Sequence, residues 1–171
     1  MKTYKNSRKK YQQDAISPSV VADVSIQSLK VPMHNNSISA LFGSNLSINN
    51  DFELIAATRK GIHKKELLNL AKALGLSQEE LCKVLHMSTR TFHRLDDTAT
   101  LDVYTTEQAL EMALIYEKSL EIFSSEVAIQ MWLKTPIRSL NMQTPLSLLD
   151  TGFGAKLVLD TLNAIEEGVF A

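Results

Sequence analysis

The sequence predicts an all-α protein, and three observations carry that reading. From Asp51 onward apolar residues recur at spacings of three and four, the period of a helix face. Helix-start signals such as Ser77-Gln78-Glu79-Glu80 and Thr144-Pro145 precede these runs, and Gly75 and Gly168 follow two of them. No segment alternates apolar and polar residues often enough to build a sheet, and no internal repeat is visible.

The chain of 171 residues suits one compact unit or two small ones, which excludes a large multidomain enzyme. With 44% hydrophobic and 22% charged residues it matches soluble globular averages, so a fibre or a wholly disordered chain is not expected. It lacks a run of about 18 apolar residues, and its basic start, Met1 to Asp14, leads into no apolar stretch. A cytoplasmic protein is therefore expected. Cys82, the single cysteine, has no partner for a disulfide or a zinc knuckle.

The first 50 residues are rich in Ser, Asn and Gln, contain Pro18 and Pro32, and read as a flexible arm. Within the arm, Val24, Ile26, Leu29 and Val31 alternate loosely, which fits an edge strand or a loop and reads here as loop. The first helix begins at Asp51 with Phe52, Ile55 and Ala56, and a second follows Gly61 with Leu67, Leu70, Ala71 and Leu74 before Gly75 ends it. Ser77 and Glu80 form a capping box for a third helix carrying Leu81, Val84 and Leu85, which stops near His86-Met87. Ser88 then caps a short fourth helix that buries Phe92 and Leu95. Thr105-Thr106-Glu107-Gln108 offers the next cap, before the longest amphipathic helix, with Ala109, Met112, Ala113, Tyr116, Leu120 and Phe123 on one face. A helix over about Ser125 to Lys134, a short one from Pro145, and a last one from Gly152 to Glu167 complete the series.

The charge is unevenly spread. Residues 1–50 carry six basic and two acidic side chains, residues 51–100 eight and seven, and residues 101–171 four and ten. The front of the chain therefore suits a polyanion and the acidic rear a protein partner, which points to two jobs along one chain.

In Leu76 to Leu95 the third and fourth helices are joined by a tight turn, the spacing of a helix-turn-helix. Its outer face would present Ser88, Thr89, Arg90, His93 and Arg94 to DNA, with Arg90 and Arg94 the foremost base or phosphate ligands. The same spacing also fits a plain helical hairpin, and His86 stands where a left-handed turn favours glycine. Lys83 and the Lys64-Lys65 pair read as solubilising side chains, with phosphate contact as the alternative. The four histidines are scattered, no phosphate-cradling or nucleophile motif is present, and Gly152-Phe153-Gly154 reads as a helix start. The acid pairs Glu79-Glu80 and Glu166-Glu167 are accounted for by capping and solvation. No enzyme, metal or cofactor is therefore expected, and Cys82 reads as a buried structural thiol.

Trp132-Leu133-Lys134-Thr135-Pro136, Leu140, Thr144 to Leu149, Gly154-Ala155 and Leu162 with Ile165 to Ala171 resemble the C-terminal toxin-binding domain of the Xre/MbcA/ParS family of type II toxin-antitoxin systems. Residues 52 to about 110 are similar to the Xre-like helix-turn-helix domain that precedes it in that family. Behind the flexible arm of residues 1–50, which the resemblance does not cover, it implies a DNA-binding domain over 51–110 and a helical toxin-binding domain over 111–171. It implies an antitoxin whose C-terminal region covers the active site of a RES-domain toxin that depletes NAD, and which represses its own operon as a homodimer on operator DNA. Trp132, Pro136, Pro145, Leu146, Leu149 and Gly154 would shape the domain, while Glu166, Gly168, Val169, Phe170 and Ala171 would approach the toxin. The rivals are a freestanding repressor with a C-terminal dimerisation domain, and a helical interaction module that never meets DNA.

Overall fold

The computed structural model describes residues 41–42 and 51–169; the sequence readings on the amino-terminal arm, Phe170 and Ala171 lie outside the described residues. From Asp51 the chain is a succession of helices: α1 (Asp51–Lys60), α2 (Lys64–Ala73), α3 (Gln78–Val84), α4 (Thr89–Arg94), α5 (Val103–Ile122), α6 (Glu126–Lys134), α7 (Pro145–Leu148) and α8 (Gly152–Glu166). Among the described residues the only β pairing is two isolated bridges, His63 with Thr100 and Ile137 with Gln143. The expected all-α architecture, a helix-turn-helix followed by a smaller helical unit, is the one observed.

The helices start and stop where local chemistry dictates. Ser77 Oγ accepts from the Glu80 amide at 3.2 Å while Glu80 returns to the Ser77 amide at 2.7 Å, a complete capping box. Ser125 and Thr151 accept from Ala128 and Gly154 in the same manner at α6 and α8. Thr144 caps α7 with Pro145 in the first turn, where a missing amide costs nothing. At the far end of α8, the Val169 amide reaches the Ala164 carbonyl at 2.9 Å and the Gly168 amide reaches Ile165 at 3.1 Å, a Schellman closure that requires the left-handed φ of 71° at Gly168.

Two expectations are corrected. The long helix begins at Val103, capped by Asp102, whose carboxylate accepts from the Thr105 amide at 3.0 Å and its hydroxyl at 2.7 Å. Thr105 and Thr106 are thus buried first-turn residues; Thr106 Oγ1 accepts from the Ile62 amide at 3.3 Å. In α1 the buried side is Ala57 and, in part, Leu54, while Phe52 is 84% and Ile55 45% exposed. The helix packs against α5 and, besides Phe52 and Ile55, leaves Ala56 exposed too.

The core joins Leu67, Leu70 and Leu74 of α2, Leu81 of α3, Phe92 of α4, Ala109 to Tyr116 of α5, Ile129 and Leu133 of α6, and Val158 and Leu162 of α8. It makes α5 the shared spine, packed along α1 on one part and along α8 on another. Gly154 lets the start of α8 lie close against α7, because a Cβ there would collide with the Leu148 carbonyl. Cys82 is buried, and burial pushes its thiol up, as expected of an inert structural cysteine.

Candidate functional site

The α3–turn–α4 unit is built around one awkward residue. His86 follows the α3 cap with φ 51°, the left-handed conformation that the sequence disfavours there. The turn still closes as a Schellman motif, with the Met87 amide on the Cys82 carbonyl at 2.9 Å and the His86 amide on Lys83 at 3.3 Å. A partial offset comes from the ring: His86 Nε2 lies 2.7 Å from the Asp150 carbonyl, in the loop before α8. The hinge of the helix pair is therefore hydrogen-bonded to the C-terminal part of the chain. The same loop is also held by α5, where Gln108 donates from Nε2 to the Leu149 carbonyl at 3.0 Å.

Ser88 accepts from the Thr91 amide at 3.0 Å and shares a hydrogen bond with the Thr91 hydroxyl at 2.7 Å, so its oxygen serves the cap of α4 first. Phe92 is fully buried and fixes the helix to the core, which turns Thr89, Arg90, His93 and Arg94 outward; all four are exposed. Spacings of four put Arg90 with Arg94 and Thr89 with His93 on adjacent stripes of one face. From Leu81 to Leu95 the chain has no acidic residue, and Lys83, Arg90 and Arg94 give this surface a positive sign. Such a face can chelate base edges and meet phosphates.

Lys64 departs from expectation. It is only 9% exposed, its Nζ donates to the Leu95 carbonyl at 2.7 Å, and it pairs with Asp97 at 3.2 Å. It is thus part of the scaffold behind α4, not a solubilising surface cation. Its place at the first turn of an amphipathic helix gave no sign of this.

In the C-terminal part, Trp132 is half-buried and packs on Phe123 with ring centroids 5.5 Å apart. Pro145, Leu149, Leu140 and Gly154 are buried and Leu146 partly so, whereas Pro136 is exposed. Glu166 accepts from Lys118 Nζ at 2.7 Å, and Lys118 also reaches Glu121 at 2.8 Å. These two carboxylates, Glu121 foremost, raise the Lys118 ammonium above its ordinary value. Beyond Gly168, Val169 is 59% exposed, and a Cβ on Gly168 would meet nothing within 4 Å. Val127 with Met131, and Phe153 with Leu157, form further exposed apolar pairs on α6 and α8. Among the described residues no group of three or more His, Cys, Asp or Glu side chains could hold a metal ion. No described helix is long and apolar enough to cross a membrane.

An antitoxin Xre-like helix-turn-helix domain matches residues 53–113, and an antitoxin Xre/MbcA/ParS C-terminal toxin-binding domain matches residues 120–168. A Sphingobium sp. (strain YBL2) protein named Prs ADP-ribosylating antitoxin is 27% identical over 127 residues, spanning 68% of this chain and 80% of that protein. The fold is also similar to that of a chain in the crystal structure of the M. tuberculosis MbcT-MbcA toxin-antitoxin complex, with a TM-score of 0.50 and 22% identity over 63% of this chain and 96% of that one. With both domains matched in this order, the chain belongs to the Xre/MbcA/ParS family of antitoxins.

Proposed function

We propose that this antitoxin is a non-enzymatic, cytoplasmic, dimeric protein that neutralises a RES-domain toxin consuming NAD and represses its own operon. The observation that carries the toxin half is the end of α8. The helix closes at Gly168 inside the matched toxin-binding region, and Val169 after it is exposed. An acidic terminal third, with Glu166, Gly168, Val169, Phe170 and Ala171 at its end, complements a pocket built to hold the phosphates of a dinucleotide. Phe170 is the anchor of that contact, since aromatic side chains dominate interface energetics. The name of the Sphingobium relative joins an antitoxin to ADP-ribosylation, whose transferred group comes from NAD, and this favours a toxin with NAD as its substrate.

The repressor half rests on the exposed, acid-free face of α4. Thr89, Arg90, His93 and Arg94, with Ser88 at the cap, form the reading surface. One such domain, nearly neutral over residues 51–100, binds a half-site weakly, so two copies on half-sites about 34 Å apart are needed. The DNA-binding part ends near residue 110 and the toxin-binding part begins at 111, both within α5.

The test is coexpression with the adjacent RES-type gene. The full chain restores growth; a chain lacking residues 168–171, which keeps α8 and the Lys118–Glu166 pair, does not. Full protection by the shortened chain would falsify the tail-plug mechanism.

A further inference from the structure

Lys64 is the first residue of α2, where a cation opposes the helix dipole, so its presence there needs another explanation. It is the only charged side chain among the buried described residues. Its ammonium crosses to the C-terminal end of α4: it donates to the Leu95 carbonyl at 2.7 Å, pairs with Asp97 at 3.2 Å and lies 5.2 Å from the centroid of the Phe92 ring. All three partners belong to α4 or to the three residues after it. At that end a cation is favoured, because the last carbonyls of a helix lack intrahelical donors and carry the negative end of its dipole.

We propose that Lys64 is the positioning residue of the reading helix, fixing the C-terminal end of α4 so that Arg90 and Arg94 meet the bases in register; this rests on the DNA-binding reading of α4 given above. A six-residue helix has little stability of its own and takes its direction from its anchors. Ser88 holds the N-terminal end, Phe92 the middle and Lys64 the last carbonyl, one residue beyond Arg94. The fold does not hang on this ammonium. The segment after α4 is laced to the start of α2 and the residues just before it by backbone bonds from Lys64 to Ala99 at 3.1 Å, Lys65 to Asp97 at 3.1 Å and Leu101 to Ile62 at 2.8 Å. Removing the charge frees the helix end while this ladder stays.

The test uses the full chain and DNA from upstream of its own operon, at a temperature where circular dichroism shows every variant folded. Lys64→Met binds at least tenfold more weakly than wild type, with the salt dependence of binding unchanged because Lys64 contacts no phosphate, and Lys64→Arg recovers most of the loss. Protection against the toxin stays complete, and amide exchange rises at residues 92–95 alone. Should Lys64→Met not fold, Lys64→Gln, too short to serve Leu95 and Asp97 together, gives the same readouts. Binding by the folded variant within twofold of wild type, while Arg90→Ala loses it, overturns the proposal. So does a drop of about one in the salt slope, which would make Lys64 a phosphate ligand. Equal binding by wild type and Arg90→Ala overturns instead the reading of α4 beneath it, and amide exchange then decides whether Lys64 holds the helix end.

Discussion

His86 shows how a single residue can be unfavourable in its conformation and useful in its contacts. A non-glycine residue in the left-handed region costs roughly 1 kcal/mol, and a hydrogen bond such as that from the ring to the Asp150 carbonyl returns about the same. The two terms separate by substitution. His86→Ala keeps the backbone cost and loses the bond, so it lowers stability by about 1 kcal/mol; His86→Gly loses both and is close to wild type. Urea unfolding of the three proteins checks the order, and an alanine variant as stable as the glycine variant would show that the backbone at residue 86 carries no strain. Gly154 presents the opposite case, a residue chosen for the absence of a side chain. A Cβ at that position overlaps the Leu148 carbonyl, so Gly154→Ala must push α7 and α8 apart. A loss of about 2 kcal/mol is expected, read as a fall in melting temperature of several degrees.

For the elements, the question is which part of each helix its own sequence reveals. Asp102 caps α5 with both carboxylate oxygens on Thr105. The Thr105 amide, then its hydroxyl, holds the carboxyl below the ordinary range, against a smaller upward push from burial. A lowered folded value means the cap contributes its full stability above the ordinary carboxylate value of about 4, and loses it as pH falls through the lower folded value. Asp102→Ala therefore costs about 1 kcal/mol at neutral pH, and the gap to wild type narrows at low pH. Stability curves for the pair between neutral pH and about pH 2 test this; a gap that does not change with pH would assign the cap to the backbone instead. The helices themselves were legible because core faces repeat every three or four residues, and so were the N-caps of α3, α4 and α7 and the glycine closure of α8. The start of α5 was misplaced because Asp102 and Thr105-Thr106 offer overlapping cap signals, and only the burial of both threonines decides between them. The orientation of α1 was illegible for a related reason: Phe52 and Ile55 look like a core stripe, yet Ala57 and part of Leu54 take the buried side. Lys64 and the His86–Asp150 link escaped because each joins residues dozens of positions apart, which no local pattern records.

In the molecule as a whole, α5 is packed on α1 of the nearly neutral stretch 51–100 and on α8 of the acidic rear, so one helix supports both. Thr89, Arg90, His93 and Arg94 stand on one exposed face, and the α8 terminus with Glu166 belongs to the matched toxin-binding region, with Val169 just past it. The core runs through both, so the two parts share stability, but no described ion pair links the α4 arginines to the tail. Substitutions on exposed side chains far apart and without common partners act independently. Arg90→Ala with Arg94→Ala should therefore weaken operator binding at least a hundredfold and lower its salt slope by one to two, as expected when base or phosphate contacts are lost. The same protein should protect cells from the toxin as wild type does, whereas the chain lacking residues 168–171 should bind operator normally and give no protection. Gel shifts over a salt series and growth on toxin induction measure both functions in the same pair of variants. Loss of both functions in either variant would mean that the α3–α4 turn and the loop before α8, joined through His86, act as one unit rather than two.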